Sequence, residues 1–328
     1  MSRPFIEAGF TSRQGCGLNI FSRDEMDCIH ESVIYILDKV GLGVHSDEAL
    51  NIYAQGGCRV DRAKRTVKIP PYVLEKAVRQ IPKKILLAGR DRANDFLCGG
   101  RRIGFSPFGV GLLVEDLGHG EARDATLKDF EEIFRICDAL DTVDIMLSVV
   151  QAVDLPAETQ ELQMTATAFK NSSKHYAADA ADGKTAELMI EMAAMIVGSK
   201  DALRERPILS FGICPVSPLQ LPGEAADVLL VAARHGLPVE VLSMAMAGAT
   251  SPMSLAGTIA VHLAEVLGSI VLAQIDSPGA PTYIGSSTTT FDMKSCAATV
   301  GSPEFGLVNA ALAEMAHYYE VPVTVGGL

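Results

Sequence analysis

Pro238-Val-Glu-Val-Leu-Ser-Met-Ala245, then Met253 to Ile275, then Pro281-Thr-Tyr-Ile-Gly-Ser-Ser287 is the stretch that decides the fold. The two flanking runs are short, apolar and bounded by glycine or proline, which reads as buried strand. The middle run is too long for a strand and reads as helix. Strand, helix and strand in this order make one unit of a parallel sheet. Working outward, the same alternation begins near Ile103. Strands are expected at 103–110, 144–150, 175–179, 207–213, 238–245, 281–287 and 322–326, with helices at 126–140, 158–170, 184–198, 223–235, 253–275 and 303–319. Seven strands with six intervening helices, and no G-x-G-x-x-G at a strand-to-helix turn, argue for a (β/α)8 TIM-barrel-like α/β fold over a dinucleotide-binding sheet. The barrel is expected to be incomplete, because Pro322-Val-Thr-Val325 runs into Gly326-Gly327-Leu328 with no eighth unit.

Residues 1–100 read differently, as a mainly helical extension ahead of a barrel domain at 101–328. Ser22-Arg-Asp-Glu25 is a capping box opening a helix with an apolar face of Ile29, Val33, Ile36, Leu37 and Val40, ended by Gly41 and Gly43. A second helix starts near Ser46, and Pro70-Pro71 opens a third, since proline fits a first helical turn. Thr126-Leu-Lys-Asp129 and Ser302-Pro303-Glu304 cap two later helices.

The 328 residues carry 28 Lys+Arg against 40 Asp+Glu, a net charge of −12, with 48% hydrophobic residues and a mean hydropathy of +0.23. Such a chain has ample apolar surface to bury, and its acidity disfavours nucleic acid and anionic membrane as partners. The seven cysteines (Cys16, Cys28, Cys58, Cys98, Cys137, Cys214, Cys296) are dispersed and odd in number, without C-x-x-C. That pattern fits a reducing cytoplasm and no structural zinc. MSRPFIEAGF has charge and proline where a signal peptide needs an apolar run. Ser254 to Ile275 is interrupted by His262, Glu265 and Gln274 and flanked by Pro252 and Pro278, so it reads as a buried core helix and not a membrane span.

Polar side chains concentrate at two strand ends. Tyr283-Ile-Gly-Ser286-Ser287-Thr288-Thr289-Thr290 presents five successive hydroxyls, which either orient a small ligand or satisfy loop backbone. Ser243-Met244-Ala-Met246 spaces two methionines to the same side of an extended chain, as pocket lining or as core. His262 and Glu265, at i and i+3 above Ser269, read either as a metal pair or as a hydrogen-bonded stripe or oligomer contact. His119 and His175 have no Ser or Cys partner in the sequence that would make a nucleophilic triad.

Leu242-Ser-Met-Ala-Met-Ala-Gly-Ala-Thr-Ser-Pro-Met-Ser-Leu-Ala-Gly-Thr258, His262-Leu-Ala-Glu-Val-Leu267 and Tyr283 to Asp292 resemble the trimethylamine methyltransferase family. So do Arg206-Pro207, Cys214-Pro-Val-Ser-Pro-Leu219 and Gly301-Ser-Pro-Glu304, and the similarity extends from Ala8-Gly9-Phe10 to Leu328. The resemblance implies transfer of a methyl group from trimethylamine to the Co(I) corrinoid of a partner protein, as in methylamine metabolism and methanogenesis. It implies no metal bound by this chain itself. It also implies a pyrrolysine, encoded by an in-frame amber codon, just after a segment similar to Pro322-Val-Thr-Val-Gly-Gly-Leu328, so the catalytic residue and a C-terminal portion are expected to be absent and the fragment inactive. Candidate substrate- or corrinoid-facing residues are Ser243, Met244, Met246, Tyr283, Ser286, Ser287, Thr288, Thr289, Gly326 and Gly327. The alternatives are a corrinoid-dependent methyltransferase for a quaternary amine such as glycine betaine, and a noncatalytic fragment that oligomerises or docks the corrinoid protein. A homo-oligomer is expected.

Overall fold

The computed structural model describes residues 19–100, 102–116 and 120–327. The Ala8-Gly9-Phe10 motif, Cys16, His119 and Leu328 lie outside them. Ten α-helices occur among the described residues: α1 (Arg23–Tyr35), α2 (Asp47–Gln55), α3 (Pro71–Gln80), α4 (Leu127–Ala139), α5 (Gln160–Asn171), α6 (Gly183–Val197), α7 (Lys200–Glu205), α8 (Gly223–His235), α9 (Leu255–Asp276) and α10 (Pro303–Tyr318). The strands that alternate with them are β1 (Ile145–Leu147), β2 (His175–Asp179), β3 (Leu209–Ile213), β4 (Val239–Ser243), β5 (Thr282–Ser286) and β6 (Val323–Val325). Two compact units emerge, one of residues 85–211 and one of 19–84 with 212–327.

In the first unit the strand order is β3-β2-β1, with β1 and β2 parallel and Met146 opposite Tyr176. Thr126 and Asp129 form the expected capping box on α4. That helix buries Phe130 and Phe134, stacked at 4.2 Å, and Phe134 meets Tyr176 edge-on at 5.6 Å. His175 is fully buried. Its Nδ1 lies 3.1 Å from the Ala88 carbonyl and 3.0 Å from that of Pro207, and its Nε2 lies 2.8 Å from the Ser210 hydroxyl.

The strand expected at 103–110 is not a regular strand, so among the described residues six of the seven expected strands form. The segment runs beside β1 but touches it only at intervals, through Asp144 N–H to the Phe105 carbonyl (2.7 Å) and Gly111 N–H to that of Val149 (2.8 Å). Pro107 has no N–H to give a ladder. At Gly109 the backbone approaches the Ser148 carbonyl so closely that a Cβ would sit 2.4 Å from it. Ile103, Phe105, Phe108 and Val110 are left exposed. A further difference is α7, which follows the left-handed Gly198 and was not foreseen.

In the second unit the order is β6-β5-β4, all parallel, with Ser243, Ser286 and Val325 level at their C-terminal ends. Ser22 and Glu25 form the capping box on α1, a π-helical turn at Ile36–Val40 follows, and Gly41 closes it in a conformation (φ 93°) that favours glycine. The amino-terminal segment carries short strands besides its helices. Leu42–Val44, Arg59–Asp61 and Thr66–Lys68 form a small sheet with Gln220–Leu221. Strands of three residues are too short to leave a period-2 signal.

At the centre of this unit is α9, apolar all round and packed by α1, α2, α3, α8, α10, β4 and β5. It is the one described helix long and apolar enough to cross a membrane, and 83% of its most apolar window is buried inside the fold, as a core helix requires. Gly268 admits Leu37 and Leu42 against it, and the Tyr53 hydroxyl donates to the Gly268 carbonyl at 2.8 Å. The six described cysteines, Cys28, Cys58, Cys98, Cys137, Cys214 and Cys296, are all free thiols.

Burial pushes His175 down to about 4. The unfolded chain therefore takes up a proton near pH 6.5 that the folded chain refuses, and this contribution to stability is lost as pH falls through that window. Thermal melts between pH 7.5 and pH 4 should show a falling Tm. His175→Gln should have a lower Tm at pH 7.5 and a shallower decline.

Candidate functional site

The strand ends of the second unit gather most of the residues singled out in the sequence, and the pleat sorts them onto two faces. Ser243 points at α9, where its hydroxyl donates to Glu265. The same face of β5 carries Thr282, which hydrogen-bonds Gln274 of α9 at 3.2 Å, and by alternation Ile284 and Ser286. The opposite face carries Glu240, Leu242 and Met244 of β4 and its extension, with Tyr283, Gly285 and Ser287 beside them. Register places Glu240 against Tyr283 and Leu242 against Gly285. A Cβ on Gly285 would lie 2.5 Å from Glu240 Oε1 and 2.8 Å from the Leu242 Cβ, which fixes these residues on one face.

Most of the hydroxyl run is spent on holding the loop. Ser286 Oγ accepts from the Thr288 N–H (3.2 Å), and Thr289 Oγ1 donates to the Thr299 carbonyl (3.1 Å). Thr290 bonds Thr299 through their hydroxyls. Thr288 is a buried hub. Its hydroxyl accepts from the Ala245 N–H (3.2 Å) and lies 2.8 Å from His262 Nδ1, while its carbonyl accepts from Asn309 Nδ2 of α10 (3.1 Å). Among the described residues, Ser287 is the hydroxyl of the run that makes no side-chain hydrogen bond, and it is half-buried.

The methionines alternate with buried alanines as the spacing implied. Met244 is 38% exposed while Ala245 and Ala247 are buried. Met246 is half-buried and opens a short parallel pairing with Thr289. Tyr283 is buried within β5. Gly326 donates its N–H to the Ser286 carbonyl at 2.9 Å, and Gly327 beyond it is exposed.

His262 and Glu265 are both fully buried, which excludes a surface contact for them in this unit. Glu265 accepts from the Ser217 hydroxyl (2.7 Å), the Leu219 N–H (2.9 Å) and the Ser243 hydroxyl. Burial raises its pKa against the lowering effect of those donors. Burial pushes His262 down to about 3, so the ring is neutral. Among the described residues no group of three or more His, Cys, Asp or Glu is placed to hold a metal. The hydrogen bonds that each makes fit the stripe, one of the readings left open by the sequence.

The residue that sequence reasoning missed is Glu240. A lone glutamate inside an apolar strand carries no motif. The glycine two residues after Tyr283, diagonal to Glu240 on the neighbouring strand, is the signal that makes room for it.

A family model described as trimethylamine methyltransferase (MTTB) matches residues 7–328. The chain belongs to this family. Trimethylamine methyltransferase MttB of Desulfitobacterium hafniense (strain DSM 10664 / DCB-2) is 44% identical over 325 residues, which cover 99% of this chain and 66% of the relative. MttB of Methanosarcina barkeri (strain Fusaro / DSM 804) is 39% identical, over 100% of this chain and 67% of its own length. The chain therefore spans about two thirds of these family members. A glycine betaine methyltransferase of Desulfitobacterium hafniense (strain Y51) is also similar, 33% identical over 94% of this chain and 64% of that protein. Among solved structures, Methanosarcina barkeri monomethylamine methyltransferase (MtmB) superposes with a TM-score of 0.57 at 10% identity, covering 91% of this chain and 65% of that chain. The shared fold is the (β/α) barrel type expected from the alternation.

Gly285→Ala should displace the Glu240 carboxylate or shift the strand pair. A cost of about 1–3 kcal/mol is expected for overfilling such a site. Urea unfolding should read it as a lower midpoint at unchanged m-value.

Proposed function

We propose that this family member supplies the amine-receiving face, bearing Glu240, Met244, Tyr283 and Ser287, for methyl transfer from trimethylamine to the Co(I) of a corrinoid carried by a partner protein. The observation that carries the reading is the family match combined with a buried carboxylate beside a tyrosine on the face opposite α9. A methyl group leaves nitrogen readily only when nitrogen carries positive charge, because the departing amine is then neutral. The C–N bond breaks with its electron pair kept by nitrogen, and the methyl forms a bond to cobalt, which passes from Co(I) to Co(III). The corrinoid supplies the nucleophile. This chain supplies compensation of the cationic nitrogen by Glu240, an aromatic face at Tyr283, and an apolar rim at Met244 that accommodates methyl groups and excludes water.

The same residues argue against glycine betaine as substrate. Its carboxylate would meet the like charge of Glu240 on this face. The free thiols support a reducing, cytoplasmic setting.

Trimethylamine binding, followed by broadening of its methyl proton resonance, tests the reading. Glu240→Gln should weaken binding about tenfold, the ~1.4 kcal/mol of one partly screened charge interaction. Met244→Arg should abolish it by placing a cation at the rim. Unchanged binding in both variants, or tighter binding of glycine betaine than of trimethylamine to the unmodified chain, overturns the reading.

A further inference from the structure

Two side chains of the candidate site, Met244 and Ser287, stand just past the C-terminal ends of β4 and β5. Their anchors come from behind. Glu265 of α9 takes three donors from two different loops: Ser217 and Leu219 after β3, and Ser243 at the end of β4. One turn earlier on the same helix, His262 holds Thr288 in the loop after β5. The two grips are joined, because the Ser243 carbonyl accepts the Ser287 N–H at 3.1 Å and the Thr288 hydroxyl lies 3.4 Å from it. Asn309 of α10 holds the Thr288 carbonyl from a second helix.

We infer that Glu265 and His262 are positioning residues for the amine site, fixing from the helix side the backbone from which Met244 and Ser287 project to the other. The inference rests on the functional reading above for what is positioned, and on hydrogen-bond geometry for how. Ser243 and Met244 are adjacent, as are Ser287 and Thr288. With alternating side chains, a hold on Ser243 and Thr288 sets the direction of their neighbours on the opposite face. A carboxylate suits this place because it accepts several hydrogen bonds at once and donates none. Its donors are two serine hydroxyls and one backbone N–H from the connection after β3 and the end of β4, and with His262 on Thr288 the helix acts as a common reference for three loops. A catalytic role for the pair is not implied: neither residue reaches the face that receives the amine. Supporting a site with a rigid element behind it is what keeps its side chains within the tolerance that orientation demands.

The experiment combines hydrogen exchange with trimethylamine binding, on the chain as it stands, for Glu265→Ala, Glu265→Gln and Ser243→Ala. Glu265→Ala should speed amide exchange by about tenfold or more at 216–220, 243–246 and 286–289, while β5 residues 282–284 and helix α3 keep their protection. Trimethylamine affinity should fall at least about fivefold. Glu265→Gln, which keeps one acceptor, should restore most of both. Ser243→Ala, which leaves Glu265 its other two donors, should loosen 243–246 and 286–289 and leave 216–220 unchanged. It carries the test if Glu265→Ala does not fold. Exchange that rises evenly across α9 and the sheet, or that does not rise at the three loops, overturns the inference. Failure of the unmodified chain to bind trimethylamine would instead overturn the functional reading, with the exchange pattern still deciding whether the loops are held from α9.

Discussion

A helix that is apolar on every side must be surrounded, and this constraint organises the larger of the two units. Leu255–Asp276 has no polar face to turn to water, so α1, α2, α3, α8 and α10 enclose it together with strands β4 and β5. Removing that apolar surface from water is the main stabilising contribution here, on the order of 25 cal/mol per Å² buried. It also explains why an amino-terminal segment folds with residues from the far end of the chain: helices α1 to α3 cover a surface that would otherwise be exposed.

Within that dry environment, polar side chains have to find partners, and the few that α9 carries are correspondingly specific. Gln274 holds Ala280 and Thr282 at one end, and Glu265 and His262 hold strand ends at the other. An unsatisfied buried carboxylate is costly, and the donors around Glu265 offset that cost. The same hydrogen bonds that satisfy the helix shape the loops at the C-terminal ends of β4 and β5. Stability and site geometry thus share residues, and a substitution at Ser243 or Thr288 affects both.

The helices and most strands were legible in the sequence because each has a local signal. Capping boxes at Ser22 and Thr126, prolines at 71 and 303, and long apolar periods placed helix starts within a residue or two. The segment at 103–110 misled because its composition is strand-like while Pro107 and Gly109 deny it a ladder. Which strand-end residues face α9 was less legible. Ser243 and Met244 are neighbours of similar prominence in the sequence, and only the position of Glu265 shows that the serine is spent on the helix. Glu240 was missed for the opposite reason: its importance lies in what stands across from it, Tyr283 and Gly285, some forty residues away.

The strict division of β4 and β5 into a helix-facing and an open side has an evolutionary corollary. Because side chains alternate with every residue, a single codon gained or lost between Val239 and Met246 would exchange the two sides, burying Met244 against α9 and turning Ser243 outward. A length change within these strands would therefore cost far more than a substitution, whereas the connections beyond them can absorb one.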